Sequence, residues 1–243
     1  MTVGIMQPYF FPYLGYFQLL SAVDKFVVLD DVNYIVKGYI NRNSILLNGE
    51  AHRFTMPIEK PSRNKLINET RISSSVEWKE DLLATIRMAY SKAPKYNVVI
   101  EMLERVIRFP EYDLTAFLTN ALVETRDYLR LPTEILMSSK IGKDNSLKGQ
   151  DRIIAINKEL KADRYINPIG GVELYCYNDF QKEGIELNFI KMGDVSYKQF
   201  KSEFAQNLSI IDVLMFNSQE KIVQMLNQYE IIKVNGTITK GTR

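Results

Sequence analysis

Two adjacent carboxylates, Asp30 and Asp31, follow a short apolar run and are the strongest candidates for acid–base chemistry in this sequence. Successive side chains of an extended chain point in opposite directions, so we expect one of them, rather than the pair, to face a ligand. That carboxylate could bind an amine, a ribose hydroxyl or a metal. The alternative interpretation is that one caps the next turn while the other is solvated. Asn33, Lys37 and Arg42 follow, and the cations could bind phosphate, arginine in a bidentate manner.

Residues 138–152 form the most polar long stretch of the chain and supply a second set of candidate ligands. The cations of this stretch could together hold a pyrophosphate at the start of a helix. They are Lys140, Lys143, Lys148 and Arg152, and Asn145 lies among them. The alternative interpretation is an ordinary solvated surface loop.

A third polar loop, residues 167–171, combines an amide with two glycines. Asn167 could position a ligand, and the backbone N–H groups of Gly170 and Gly171 could approach a phosphate closely.

The fourth loop lies near the N-terminus and is rich in aromatic side chains. Gln7 stands at its start, where it could hydrogen-bond a polar ligand edge. From the aromatic run we predict that Tyr9, Tyr13 and Tyr16 contact a substrate. We also expect Gly15 to let the backbone approach a ligand. The alternative interpretation is a hydrophobic plug that seals the edge of a sheet.

The elements that must position these loops are short apolar runs that end where the polar residues begin. Residues 3–6 and 25–30, with a helical segment between them, predict a βαβ unit with parallel strands. Further strands are predicted at residues 133–137, 164–167 and 185–190. Ligands of parallel α/β sheets bind beyond the carboxyl ends of the strands, so we expect all four loops at one rim.

Helical periodicity dominates residues 75–130 and indicates a helical insertion or cap on a single α/β domain spanning residues 1–243. Helices are also predicted at residues 150–160, 177–182, 210–216 and 221–229. The tail from residue 233 has little apolar surface to bury.

Composition excludes several classes of protein. The chain has 243 residues, 46% hydrophobic and 25% charged, with a formal net charge of +2, so it is neither disordered nor visibly suited to nucleic acid. One cysteine, Cys176, and one histidine, His52, exclude an intrachain disulfide and a His- or Cys-rich metal site, and no metal is predicted. No apolar stretch is long enough to span a membrane. We therefore expect a soluble cytoplasmic protein, and a homo-oligomer is left open.

Several motifs resemble the WbqC-like family, which is associated with bacterial surface-polysaccharide (O-antigen) gene clusters. The resemblance rests on residues 5–17, 30–34, 41–43, 149–152, 167–171 and 208–212, which together span nearly the whole chain. It implies a pathway more firmly than a reaction, since some members are labelled glycine or acyl transferases acting on amino sugars.

A second likeness concerns the order of elements around the aromatic loop, which looks like that of nucleotidyltransferases such as pantothenate synthetase. It implies a Rossmann-like, nucleotidyltransferase-like core and carboxylate activation by ATP. The two histidines of that family's motif are replaced here by Tyr13 and Tyr16, which cannot supply a cationic imidazole. Cations such as Lys140 or Arg42 would have to neutralise the developing charge.

Together these observations lead us to expect an acyl or aminoacyl transferase or ligase, with glycyl among the candidate groups, forming an amide on a nucleotide-linked amino sugar. Asp30, Asp31 and Lys148 are the expected catalytic residues. The expected partners are the nucleotide sugar and an acyl or amino-acid donor.

Two rival functions are considered. A non-catalytic module that binds nucleotide sugars would also fit, because no general base is evident in the sequence. A glycosyltransferase with Asp30 and Asp31 on a metal is less favoured, since such pairs are usually separated by one residue.

Overall fold

The computed structural model describes residues 1–200 and 203–233 of the chain. The first half contains β1 (Thr2–Met6), α1 (Leu14–Ser21), β2 (Lys25–Val28), β3 (Arg42–Leu47), β4 (Glu50–Thr55), β5 (Ile58–Glu59), β6 (Arg71–Ile72), α2 (Glu77–Tyr90), α3 (Tyr96–Ile107) and α4 (Leu114–Tyr128). The second half contains β7 (Glu134–Met137), α5 (Gly149–Glu159), β8 (Arg164–Pro168), α6 (Tyr177–Lys182), β9 (Glu186–Met192), α7 (Ile210–Phe216), α8 (Gln219–Leu226) and β10 (Tyr229–Lys233). Short 3₁₀ turns occupy Ile67–Glu69, Ser138–Lys140 and Ile169–Leu174.

A mixed but mostly parallel six-stranded sheet organises the molecule, in the order β10-β9-β8-β1-β2-β7. The strands from β9 to β7 are parallel to their neighbours, and β10 is antiparallel to β9. The chain first winds outward from β1 through β2 to β7, and then returns to the other side of β1 to form β8 and β9. The direction of winding therefore reverses between β1 and β8, a position at which sheets of this kind commonly bind ligands.

The predicted βαβ unit is confirmed in β1, α1 and β2. The apolar runs are buried because helices cover the sheet on both faces, as parallel sheets require. Gly4 lets α1 approach β1 closely, since a Cβ at that position would lie 3.3 Å from Leu19 Cδ1 and from Val23 Cγ1.

A turn at Asn48 and Gly49 joins β3 to β4 as an antiparallel hairpin. Both turn residues have positive φ, 53° and 87°, as a type I′ turn requires. Helices α2, α3 and α4 fill the predicted helical interval and pack against one another, and α2 also contacts β3. The aromatic loop enters the same core, where Phe10 packs against Trp78 and Phe117. The single-domain organisation stays a prediction.

The C-terminal part differs from the sequence-based expectation. The last predicted helix ends at Leu226, and Tyr229–Lys233 is a strand that pairs with β9. The outer backbone groups of β9 need partners, and this pairing outweighs the helical pattern of the segment. Most of the predicted tail, residues 234–243, lies outside the described residues. Within the described part of the chain, none of the helices has the length and apolar character needed to cross a membrane.

Candidate functional site

A polar cavity of about 590 Å³ lies at the carboxyl edge of the sheet, beyond the ends of β2 and β7. Its walls come from the loop after β2, the 3₁₀ turn near Ile67, the loop after β7 and the start of α5. The lining residues are Asp31, Val32, Asn33, Leu66, Asn68, Ser139, Asn145, Lys148, Gly149 and Arg152. Five of the sequence-predicted site residues therefore meet in one cavity: Asp31, Asn33, Asn145, Lys148 and Arg152.

Asp31 is the centre of a buried ion cluster in the wall of this polar cavity. Lys143 Nζ lies 2.7 Å from Asp31 Oδ2, and Arg152 Nη1 lies 3.6 Å from Asp31 Oδ1. Burial alone would raise the pKa of Asp31, but the Lys143 ammonium, the Ser138 hydroxyl and the Arg152 guanidinium hold it below its usual value. Two cations face one carboxylate, so the cluster carries an excess of one positive charge.

Arg152 also orders the backbone around the cavity. Its Nε donates to Leu147 O at 2.8 Å, its Nη2 donates to Asn145 O at 2.9 Å, and its Nη1 donates to Asp31 O. The guanidinium therefore holds the loop after β7 against the loop after β2. With these donors engaged, Arg152 contributes charge and geometry rather than a free bidentate fork for a phosphate.

The N-terminus of α5 opens into the same cavity. Lys148 is its N-cap residue, in extended conformation and with an exposed side chain, and no side chain caps the first turn. The first N–H groups of a helix lack partners within the helix and favour a negatively charged ligand. Gly149 adopts φ +52°, and a Cβ there would meet no atom within 4 Å, so a ligand has room to reach this backbone.

Asp30 contacts the hydroxyl of Ser139, which was not among the predicted site residues. Its Oδ1 accepts from Ser139 N at 2.9 Å, and its Oδ2 accepts from Ser139 Oγ at 2.6 Å. Asp30 is 1% exposed, whereas Ser139 is exposed and lines the cavity. The buried carboxylate thus orients a hydroxyl that a ligand can reach. The sequence signal was the position of Ser139 directly after a strand that pairs with β2.

Asn68 and Leu66 are the other lining residues that sequence reasoning missed. They come from the turn before β6, and Asn68 N donates to Asp30 O at 3.0 Å. The sequence analysis placed loops at the rim because they follow predicted strands of the sheet. No such strand precedes this turn, so its position at the rim could not be predicted.

A second, aromatic cavity of about 310 Å³ follows the end of β1. Its lining residues are Tyr9, Pro12, Tyr13, Tyr39, Asn43 and Asn207. It includes Tyr9 and Tyr13 of the predicted site residues. The space over Gly15 is filled by the Tyr13 ring, because a Cβ at Gly15 would lie 2.5 Å from Tyr13 Cε2. The expected ligand approach at Gly15 is therefore wrong.

Tyr16 and Gln7 belong to neither of these cavities. Tyr16 is buried, and its hydroxyl donates to Gln7 O at 3.0 Å. Burial, followed by the nearby Tyr9 phenol, raises the pKa of Tyr16 well above its usual value.

The loop after β8 is packed inward rather than open. Asn167 is 6% exposed, and its Nδ2 donates to Tyr165 Oη at 2.7 Å and to Tyr175 Oη at 3.3 Å. Its Oδ1 fills the space above Gly171, where a Cβ would lie only 2.1 Å away. Gly170 is exposed with open space around it.

The remaining predicted cations lie away from both cavities. Lys37 and Lys140 are exposed, and Arg42 Nε donates to Gly38 O at 3.0 Å. Across residues 1–200 and 203–233, no group of three or more His, Cys, Asp and Glu side chains is arranged to hold a metal ion.

The fold and this cavity define an α/β protein with a mostly parallel sheet and a polar, positively charged site at its carboxyl edge. The model of the WbqC-like protein family matches residues 7–224, and the chain belongs to that family. The chain is also similar to the "Uncharacterized protein Rv1507c" of Mycobacterium tuberculosis, with 25% identity over 221 residues that cover 88% of this chain and 93% of that protein. No solved structure gives a significant match to the chain.

Proposed function

We propose that the protein transfers an acyl or aminoacyl group, for instance glycyl, to the amine of a nucleotide-linked amino sugar. One observation carries the proposal: the Asp30–Ser139 pair stands in the same polar cavity as the open N-terminus of α5 and Lys148. A site of this kind pairs an anion-binding wall with a group that can accept a proton. Family membership supports a role in bacterial surface-polysaccharide (O-antigen) biosynthesis.

In this proposal the phosphates of the nucleotide sugar lie against the N-terminus of α5 and the Lys148 ammonium. The excess positive charge of the Asp31 cluster adds to the attraction. The amides of Asn33, Asn68 and Asn145 are available for sugar or ribose hydroxyls, because they line the same cavity.

The chemical step is attack of the sugar amine on the carbonyl carbon of the acyl donor. A C–N bond forms, the donor's leaving group departs, and the amine loses a proton. That proton passes to Ser139 Oγ while the hydroxyl proton of Ser139 moves to Asp30 Oδ2, which already accepts it in a hydrogen bond of 2.6 Å. Asp31 does not act as the base, since its negative charge is held by Lys143 and Arg152. Lys148 stabilises negative charge that develops on the donor or its leaving group.

Two finer points belong to the same proposal. The strand order β7-β2-β1-β8-β9 has the reversal that Rossmann-like sheets use to bind nucleotides, which supports a Rossmann-like, nucleotidyltransferase-like core. When the donor is a free carboxylic acid, ATP would supply its activation.

The test incubates the protein with a panel of nucleotide-linked amino sugars, amino-acid and acyl donors, and ATP, and follows amide formation by mass spectrometry. We expect Asp30→Asn and Ser139→Ala to lower kcat at least about a hundredfold while nucleotide-sugar binding survives. Lys148→Ala is expected to weaken binding, whereas Lys158→Ala, an exposed cation later in α5, leaves both parameters unchanged. Absence of an amide product across the panel, with no AMP or ADP released, contradicts the proposal.

A non-catalytic module that binds nucleotide sugars is the second candidate, because both carboxylates near the cavity already have partners within the protein. Thermal-shift measurements with nucleotide sugars, combined with the assay for amide formation, distinguish the transferase from the non-catalytic module. Binding that Lys148→Ala abolishes, without any product in the wild type, favours the module.

A further inference from the structure

We propose that the aromatic cavity after β1 is a separate binding site for an uncharged pyranose ring, one sugar unit in size. This inference does not depend on the proposed function, because it concerns different residues and a different ligand chemistry.

The chemistry of the cavity wall is neutral and aromatic, in contrast to the polar cavity. Three tyrosines, a proline and two asparagines line it, and no charged side chain is among them. Phenol rings offer flat faces to the C–H groups of a sugar, and their hydroxyls and the amide of Asn207 can bond to sugar hydroxyls. A ligand with a full charge would find no counter-charge here.

The arrangement of the rings favours a puckered ligand over a planar one. Tyr9 and Tyr39, which both line the cavity, have ring centroids 6.1 Å apart with planes inclined at 45°. A nucleobase stacks best between parallel rings, and tilted walls do not form such a slot. The volume of about 310 Å³ is at the lower end for ligand sites, which suits one monosaccharide unit.

The Tyr13 ring and the loop that carries it are fixed before any ligand arrives. Tyr13 lies over Gly15, and the loop is tied down by Asn43 Nδ2 and Ser209 Oγ, which donate to Phe11 O at 2.7 and 2.8 Å. A rigid wall loses little conformational entropy when a ligand binds.

The hydroxyls of Tyr9 and Tyr13 remain protonated donors over the physiological pH range. Burial, followed by the neighbouring phenols Tyr13 and Tyr39, raises the pKa of Tyr9 above its usual value, and burial raises the pKa of Tyr13.

The test is saturation-transfer difference NMR on the full chain with methyl β-D-glucopyranoside and methyl N-acetyl-β-D-glucosaminide at about 10 mM. Uridine, whose base is a planar ring, is the comparison probe. We expect transfer to the ring C–H protons of at least one glycoside. Tyr39→Ala is expected to weaken that binding about tenfold. Tyr39 is 64% exposed, so its truncation leaves the fold intact.

Two further variants make the result specific. Gly15→Ala is expected to weaken binding as well, because the new methyl group displaces the Tyr13 ring. Met88→Ala, on α2 and 66% exposed, is the matched control and is expected to bind like the wild type. Lys148→Ala must leave glycoside binding unchanged, which separates this site from the polar cavity.

Three results would overturn the inference: no transfer to either glycoside, transfer to uridine alone, or glycoside binding that Tyr39→Ala and Gly15→Ala leave intact.

Discussion

Asp30 and Asp31 are neighbours in the chain but have different partners. Asp30 holds a hydroxyl and a backbone N–H of Ser139, whereas Asp31 holds two cations. The sequence predicted that one carboxylate rather than the pair would face a ligand, and in the structure Asp31 lines the polar cavity whereas Asp30 is buried and contacts Ser139. Their partners lie more than a hundred residues away, for instance 109 residues for Ser139, and no local pattern could identify them.

Replacing Asp31 by Asn is expected to lower the free energy of unfolding by about 3–5 kcal/mol, because Lys143 and Arg152 would remain buried without a counter-charge. Urea unfolding measures the change. Glu173→Gln, at an exposed position, is the control and is expected to stay within about 0.5 kcal/mol of the wild type. A loss as small as that of the control would show that the cluster does not need the charge of Asp31.

The effect of Asp31→Asn on the free energy of unfolding is expected to depend on pH. The pKa of Asp31 in the folded protein lies below its ordinary value of 3.8, so its stabilising contribution is complete above that value. The contribution is lost as the pH falls through the folded-state pKa. We therefore expect the wild type to lose its advantage over the Asp31→Asn variant on acidification below about pH 4. A difference in stability that is constant with pH would contradict this.

The loops after the parallel strands differ in orientation, although their sequences predicted that all of them would line one ligand site. The loop after β7 faces the polar cavity, whereas the loop after β8 turns Asn167 inward onto Tyr165 and Tyr175. The position of both loops at the carboxyl edge could be predicted, since it follows from the apolar runs that form the strands. The direction of one amide could not, because it depends on tyrosine hydroxyls that need a buried partner.

The two glycines of the loop after β8 are expected to respond differently to alanine. Gly171→Ala places a methyl group 2.1 Å from Asn167 Oδ1 and must displace that amide from its tyrosine partners. We expect a loss of about 1–3 kcal/mol in denaturant unfolding. Gly170→Ala meets no atom within 4 Å and is the matched control, with little change. Equal effects of the two variants would contradict the inward packing of Asn167.

At the scale of the whole molecule, hydrogen bonds connect helix α1 to the segment between α8 and β10. The buried amide of Gln18 in α1 donates to Met225 O and Gln228 O, both at 2.9 Å, where α8 ends and the chain turns into β10. The βαβ start and most helices were predictable because their apolar spacing is local. Strand β10 was not, because its pairing requires the edge of β9, which the helical pattern of its own residues does not reveal.

Gln18→Leu is expected to destabilise the protein by about 1–3 kcal/mol, because two hydrogen bonds worth about 0.5–1.5 kcal/mol each are lost, although both carbonyl groups keep a backbone donor. Gln224→Leu, at an exposed position of α8, makes the same chemical change without that loss and serves as the control. Thermal or urea unfolding compares them. Equal stability of the two variants would show that Gln18 does not connect α1 to the C-terminal elements.

The hydrogen bonds of the Arg152 guanidinium affect the entropy change that accompanies ligand binding. It already fastens Asn145 and Leu147 to the neighbouring loop in the free protein. An incoming phosphate would therefore meet a rim that is set in advance, and association would immobilise the ligand far more than the protein. If the proposed anion binds at this rim, we expect its affinity to be governed by the dissociation rate rather than by slow ordering of the protein.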